Sequence, residues 1–419
     1  MAVDTPLTVI VVGAGIGGLA ASIAFRKQGH NVTVLEKSAM KNEIGAAIAL
    51  QPNCTALLRH LGVEPEEIGA TTLLNMTVKD SRTLKEMGDM SDKVKQAALR
   101  PAPSKETNNY LIHRADLHSA LKAEATSTSG PGKPINLRLG NAVKSISTDS
   151  ATVVLEDGST VTGDVVIAAD GVHSACRKAV LGDEFEEAPS AVSCFRTLIP
   201  TALLRDDAET QELVKEPGVV TEVGSPDRRI IFYPCSGGET TNVLATLPRE
   251  QALLETSSEG NRLSVRERML VAYSEFAKPM RSLLSKSTEE AVTLWELFDL
   301  DPLPRWCEGT MALMGDAAHP YSPFLAQGSA QAIEDAISLS VMLPLGTQAK
   351  DVPQRLQWYE ECRKDHATKI QEYSRMRGRE SSGQRGKPPS GEEVMRFIGY
   401  IVAHSELVNS SKFFASKNV

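Results

Sequence analysis

Three glycines near the N-terminus do most to limit what this chain can fold into. Val9-Ile10-Val11-Val12 is a short apolar run suited to a buried parallel strand, and it leads straight into Gly13-Ala14-Gly15-Ile16-Gly17-Gly18. A helical pattern follows, with Leu19 and Ile23, and Ala20 and Ala24, at i,i+4 spacing and Gly29 as its stop. A second strand, Asn31-Val32-Thr33-Val34-Leu35, ends at Glu36. In such a βαβ unit Gly13 permits the tight turn, Gly15 lets the backbone approach a pyrophosphate, and Gly18 allows the helix to pack closely on the strand. The helix N-terminus then offers free N–H groups and the positive end of its dipole to phosphates. Glu36 can accept hydrogen bonds from an adenosine ribose hydroxyl, and its charge disfavours a 2′-phosphate there. The unit predicts a dinucleotide site better suited to FAD or NAD than to NADP.

Length and charge limit the remaining classes. The 419 residues suggest two or three domains, and 41% hydrophobic with 23% charged residues is ordinary globular usage. A formal net charge of −8 argues against nucleic acid, which calls for a basic footprint. The six cysteines (54, 176, 194, 235, 307, 362) form no pair at zinc or redox spacing, so they read as small apolar core residues in a reducing compartment. The opening residues lack the basic flank of a signal peptide, and no stretch approaches the ~20 apolar residues of a membrane span. A cytoplasmic location is the expectation.

Two later segments decide between FAD and NAD. Residues 164–177 run from the apolar Val165-Val166-Ile167-Ala168 into Asp170-Gly171 and on to Arg177. Residues 311–320 run from Met311-Ala312-Leu313-Met314 into Gly315-Asp316 and on to His319-Pro320. The chain then passes Pro323 and Gln327-Gly328-Ser329 into a helical run carrying Ile333, Ile337 and Val341. Each apolar strand delivers an aspartate to the point where the chain turns outward, where open α/β sheets place ligands.

With Gly45-Ala46-Ala47-Ile48-Ala49-Leu50-Gln51-Pro52-Asn53 and Ile112-His113-Arg114-Ala115-Asp116-Leu117, these motifs in this order resemble the FAD-dependent aromatic hydroxylases. These are single-component flavoprotein monooxygenases of the salicylate and para-hydroxybenzoate hydroxylase kind, and the nearest likeness is to fungal salicylate hydroxylase-like members. The resemblance covers about residues 7 to 375. It implies an α/β fold: an FAD-binding Rossmann-like domain of the glutathione reductase type, an inserted α+β substrate domain and a C-terminal helical region. The expected division is residues 1–70, 106–182 and 290–355 for FAD, 71–105 and 183–289 for substrate, and 356–419 for the helical region, with a linker near 380–391.

The resemblance also implies roles. Gly13, Gly15, Gly18 and Glu36 would hold the adenine half of FAD, with contacts from the backbone near Ala49 and from the guanidinium of Arg114. Asp170 would stand between the flavin and the nicotinamide reductant, with Arg177 nearby, and Asp316 would hold the ribityl chain. The helix starting at Gly328-Ser329 would aim its N-terminus at the flavin pyrimidine edge, where reduced flavin carries negative charge. Pro323 and Phe324 would pass close to the reactive side of the ring. No second glycine motif follows, as in the family, where NADPH or NADH docks transiently.

Residues 194–200 and 228–234 alternate as half-buried strands do, with Arg229, Ile231 and Tyr233 on one face, and a hairpin is expected into Thr241–Thr246. By resemblance to phenol-oxidising members, Arg196 and Tyr233 are the catalytic candidates: a cation favours the phenolate, and a tyrosine hydroxyl orients or relays a proton. The bland alternatives are an interdomain ion pair for Arg196 and a sheet aromatic for Tyr233. Trp295, Trp306 and Phe298 read as core, His319 and His113 as structural, with no metal site expected. Arg375, Arg377, Arg379, Arg385 and Lys387 read as a solvated face, and residues 397–402 as a docking helix or a homodimer contact.

The function implied is hydroxylation of an aromatic, phenolic substrate with NAD(P)H and dioxygen through a flavin hydroperoxide, in secondary metabolism. Epoxidation or oxidative rearrangement on the same cofactor, and a non-enzymatic carrier on the same fold, are the rival readings.

Overall fold

A computed structural model describes residues 5–40, 46–87, 108–182, 185, 187–256, 260, 262–381 and 391–417. Gly45, Arg385, Lys387, the linker residues 382–390 and residues 88–105 of the expected substrate domain lie outside the described residues.

The N-terminal apolar run is the strand Thr8–Val12, at the centre of a six-stranded sheet. It pairs in parallel with Asn31–Glu36 on one side and Val165–Ala168 on the other. Asn136–Leu139 and Met311–Leu313 extend the sheet in parallel, and Cys307–Glu308 closes one edge antiparallel. Val9, Ile10 and Val11 are completely buried, as expected of a central strand covered on both faces. The helix Ile16–Lys27 follows the first glycines, and Gly29 takes a positive φ of 96° just past its end. This helix lies against the helix Gly328–Met342. At Gly17 an added Cβ would meet the Ala332 Cβ at 3.0 Å, so the absence of a side chain lets the two helices approach.

The second six-stranded sheet runs Thr293–Asp299, Ala188–Pro200, Thr240–Pro248, Arg229–Cys235, Val219–Gly224, Asn75–Asp80. All neighbours are antiparallel except the last two. The expected hairpin is present, from Arg229–Cys235 into Thr240–Pro248. The period-2 alternation gives the sheet two unlike faces. Phe195, Ile199, Val223, Ile230, Phe232, Val243 and Ala245 form an apolar core with Met269, Tyr273, Met280 and Leu283. The opposite face carries Arg196, Leu244, Ile231, Glu222 and Tyr233 toward the first sheet. The strand Thr293–Asp299 pairs with Ala188–Pro200. The chain therefore returns to the nucleotide sheet at Cys307, later than the boundary at residue 290 expected from the sequence, because this strand completes the second sheet first.

The helix Val352–Ser381 crosses the nucleotide-binding side, and Gly391–Val402 and Glu406–Lys417 fold back onto it. Phe397 stacks on Tyr373 at 3.8 Å between centroids, and Ile401 packs with Ile370. Residues 397–402 thus form a docking helix within the chain. The anchor is Arg363, wholly buried, whose guanidinium reaches Asp335 at 2.9 Å, Glu334 at 2.8 Å and Glu406 at 3.0 Å. No helix among the described residues is long and apolar enough to cross a membrane.

Candidate active site

The three N-terminal glycines serve three separate physical needs. Gly13 has a φ of +98°, and a Cβ there would lie 2.4 Å from the Ala169 carbonyl oxygen. A Cβ at Gly18 would lie 1.9 Å from the Gly13 carbonyl oxygen. At Gly15 a Cβ would meet nothing within 4 Å, so that glycine faces open space on the wall of a large cavity. Glu36 closes the loop, accepting from the Ala14 N–H and the Ser38 N–H, both at 2.8 Å.

The cavity, of about 1550 Å³, lies between the two sheets. Single-ligand pockets run roughly 300–1,000 Å³, so this one has room for two ligands. Ala49, Arg114, Asp316, Gly328 and Ser329 line its floor, with Pro323 and Phe324 on a short turn beside them. Asp316 faces the cavity. Desolvation by the surrounding protein pushes its carboxyl up, while the charges of His319, Arg114 and Arg177 pull it down. The helix Gly328–Met342 aims its N-terminus into the same space. Just before it, the Gln327 amide is completely buried, and its Nε2 has no partner among the described residues. Open space at Gly15, a helix N-terminus and an orphaned donor fit the phosphate and pyrimidine ends of FAD.

Not every expected contact points inward. Ala169 and Gly171 line the cavity, but the Asp170 carboxylate accepts from the Ser174 hydroxyl at 2.7 Å and the Cys176 N–H at 3.1 Å, bracing its own turn. Arg177 is buried and stitches the same region together, bonding the carbonyls of Ala317 and Val172 and the Glu187 carboxylate. His319 packs on Trp306 and bonds Asp335 at 2.7 Å, a structural role. His113 lies 3.8 Å from Asp116.

The roof carries both catalytic candidates. The Arg196 guanidinium lies 4.5 Å from the centroid of the Trp295 ring, and among the described residues its buried Nε has no partner and it enters no ion pair. Tyr233 is 7% exposed, and its hydroxyl makes no hydrogen bond to the described residues. Burial pushes that hydroxyl's pKa well up, against the pull of Arg196. Trp306 is core as expected, but Trp295 and Phe298 are wall residues of the cavity. They stand on the edge strand Thr293–Asp299, on either side of a register shift in its pairing with Ala188–Pro200.

Sequence reasoning missed the Glu222–Arg229 pair on the roof, at 3.0 Å, and the C-terminal helix, which lines the cavity with Val394, Ile398 and Val402. The apolar stretch of residues 397–402 was visible, but not its target. Farther from the cavity, Glu334, His366 and His404 bring possible ligand atoms within 4.8 Å of one another. The Arg363 guanidinium already occupies the Glu334 oxygen, and His404 bonds Glu406 at 2.7 Å, so cation and protons balance this cluster.

Comparison with known proteins places these features in a family. Residues 6–374 match the family described as FAD binding domain. Hispidin-3-hydroxylase of Neonothopanus nambi is 33% identical, over 87% of this chain and 86% of that protein. The FAD-dependent monooxygenase cfoG of Aspergillus candidus is also 33% identical, over 88% and 85%. Among solved structures, CtdE in complex with FAD and a substrate superposes with a TM-score of 0.80 at 22% identity, covering 98% of each chain. A salicylate hydroxylase substrate complex gives 0.75 at 23% identity, again over 98% of each.

Proposed function

The chain belongs to the FAD binding domain family and is an FAD-dependent monooxygenase, and from that premise we propose that it hydroxylates a phenolic ring held against Arg196 and Tyr233. NADPH or NADH is the reductant. The names of the relatives support an aromatic substrate, among them a hispidin hydroxylase and a 3-amino-4-hydroxybenzoate monooxygenase.

The observation that carries the reading is a cation with no carboxylate partner and a tyrosine hydroxyl with no hydrogen bond among the described residues, both on the cavity roof. Arg196 is held from below by the Trp295 ring, so its charge is available to a ligand. A phenol entering this corner loses its proton more readily, because an opposite charge within a few ångströms favours the ionised form. The resulting phenolate pushes electron density onto the ring carbons. Tyr233, kept protonated by burial, donates to that oxygen and fixes the ring's orientation.

Gly13, Gly15, Gly18, Glu36, Ala49, Arg114, Asp316, Gly328 and Ser329 are proposed to hold FAD on the floor, with Asp170 bracing the turn between Ala169 and Gly171 beside it. FAD, when bound, would carry two electrons from NAD(P)H to dioxygen, one of whose oxygen atoms goes to the ring while the other leaves as water. The helix starting at Gly328 contributes its positive dipole end to the cofactor's anionic edge without a buried cation. The apolar wall of Leu244, Ile231 and Phe298 keeps water from the reacting ring.

The test is direct. Purified protein is yellow, consumes NAD(P)H faster with a panel of phenols, and gives a product one oxygen heavier with labelled dioxygen. Stimulated NAD(P)H oxidation by no phenol, with label entering a non-phenolic alkene instead, would replace this reading.

A further inference from the structure

We propose that the Glu222–Arg229 pair recognises a neutral hydroxyl at the far end of an elongated, two-ended phenolic substrate. The inference rests on the phenol reading above and adds the shape of the substrate to it.

Strand register sets the layout of the roof. Arg196 is opposite Leu244, Leu244 is opposite Ile231, and Ile231 is opposite Glu222. Tyr233 and Arg229 stand two residues either side of Ile231 on one strand, on the same face. At a rise of about 3.4 Å per residue they are about 13 Å apart. Arg196 and Arg229 are separated by two strand spacings and two residues, on the order of 12 Å. Leu244 and Ile231 lie between Arg196 and Glu222, while Val220 and Val78 flank Glu222, and all four line the cavity. Along the line from Arg196 to Glu222 the roof is therefore polar at both ends and apolar between them.

The pair is placed for a ligand. It is carried by the cavity face of the sheet, while the opposite face holds the apolar core of Val223, Ile230 and Phe232. Glu222 is 10% exposed at its side chain and Arg229 21%, both toward the cavity. One Arg229 N–H donates to one Glu222 oxygen, and among the described residues Arg229 makes no other hydrogen bond. The remaining N–H groups and the second carboxylate oxygen are available side by side. A desolvated ion pair is costly unless further hydrogen bonds satisfy it. A hydroxyl is the group that answers both needs, donating to Glu222 while accepting from Arg229. A carboxylate would meet repulsion from Glu222, and an ammonium would meet it from Arg229.

Two rigid probes of matched length separate the ends: p-hydroxystilbene, with one terminal hydroxyl, and p,p′-dihydroxystilbene, with two. With FAD-loaded wild-type enzyme the dihydroxy compound has the lower KM by about tenfold or more, and the preference lies in KM rather than kcat. In the double variant Glu222→Leu with Arg229→Met, which removes both charges together, the KM ratio falls to about one. Glu222→Gln, which keeps shape and an acceptor, leaves an intermediate ratio and covers the case in which the double variant loses its flavin. A pair that only pins two strands would alter both probes alike and leave their ratio at its wild-type value, which overturns the proposal. So does a wild-type ratio near one, or an enzyme that hydroxylates single-ring phenols but neither stilbene. If no phenol of any length is hydroxylated, the phenol reading itself falls and this proposal goes with it.

Discussion

The guanidinium of Arg196 sits 4.5 Å above the Trp295 ring, and the two residues reach each other across adjacent antiparallel strands. Cys194 is directly opposite Trp295, so Arg196 is its diagonal neighbour on the same face. The indole holds the cation at the cavity wall without neutralising it, as a carboxylate would.

Removing that charge is expected to show in the pH profile as well as in the rate. Arg196→Gln should lower kcat/KM for a phenol by about 10²–10⁴-fold, the range for a group assisting proton transfer. An adjacent cation lowers a phenol's pKa by about 1–3 units, so the rising limb of activity against pH should move up by a similar amount. Arg196→Lys should restore part of both. Steady-state rates of product formation between pH 6 and 10 check this, and an unmoved limb would remove phenolate stabilisation from the mechanism.

The glycines predict two different failures. Gly18→Ala puts a methyl 1.9 Å from a carbonyl oxygen and should give protein with a much lower Tm or none that folds. Gly15→Ala meets no atom of the protein, so the apoprotein should keep its Tm while flavin affinity drops at least about tenfold. Thermal melts of the apoproteins with flavin titration separate the outcomes.

Glu406 ties the last helix to Arg363 from a fully buried position. Its carboxylate also meets His404 and the Ser410 hydroxyl. Glu406→Ala leaves Arg363 with one fewer carboxylate and should cost about 3–5 kcal/mol, the range for breaking a buried pair. Since the preceding helix lines the cavity, substrate KM should rise even where the protein remains folded. Chemical denaturation and limited proteolysis near residues 391–402 report the two effects.

Glu66 gives a prediction at acid pH. Desolvation resists its ionisation, but hydrogen bonds from Arg59 and Tyr110 outweigh it and bring the carboxyl down to about 2. A folded-state pKa below the unfolded value means the unfolded chain binds the proton first. The stabilisation is therefore complete above about pH 4.3, the unperturbed value, and fades as pH falls toward about 2. Glu66→Gln should flatten this part of the stability-against-pH curve, measured by denaturant unfolding, and leave stability at pH 7 lower than that of wild type.

Within-strand and within-turn information was legible at the outset. The run from Val9 to Glu36 declares strand, turn, helix and strand because each depends on neighbours a few residues away. The same holds for the strand ends before Asp170 and Asp316 and for the shared face of Arg229, Ile231 and Tyr233. Asp170 marks a limit of motif reading: it follows the end of its strand, but Ser174 and Cys176, only a few residues on, claim its carboxylate.

What the amino-acid order determined by itself was a set of local patterns: a glycine turn between strand and helix, an alternating sheet face, and the family those motifs belong to. Only the tertiary structure decided that Trp295 lies beneath Arg196 and that Glu222 meets Arg229. It also decided that a helix beginning at Gly391 lines a cavity opened by Gly15. Those encounters depend on which strands pair and in what register. One residue of slip would turn every such side chain to the other face, and periodicity along a single strand carries no record of its neighbour.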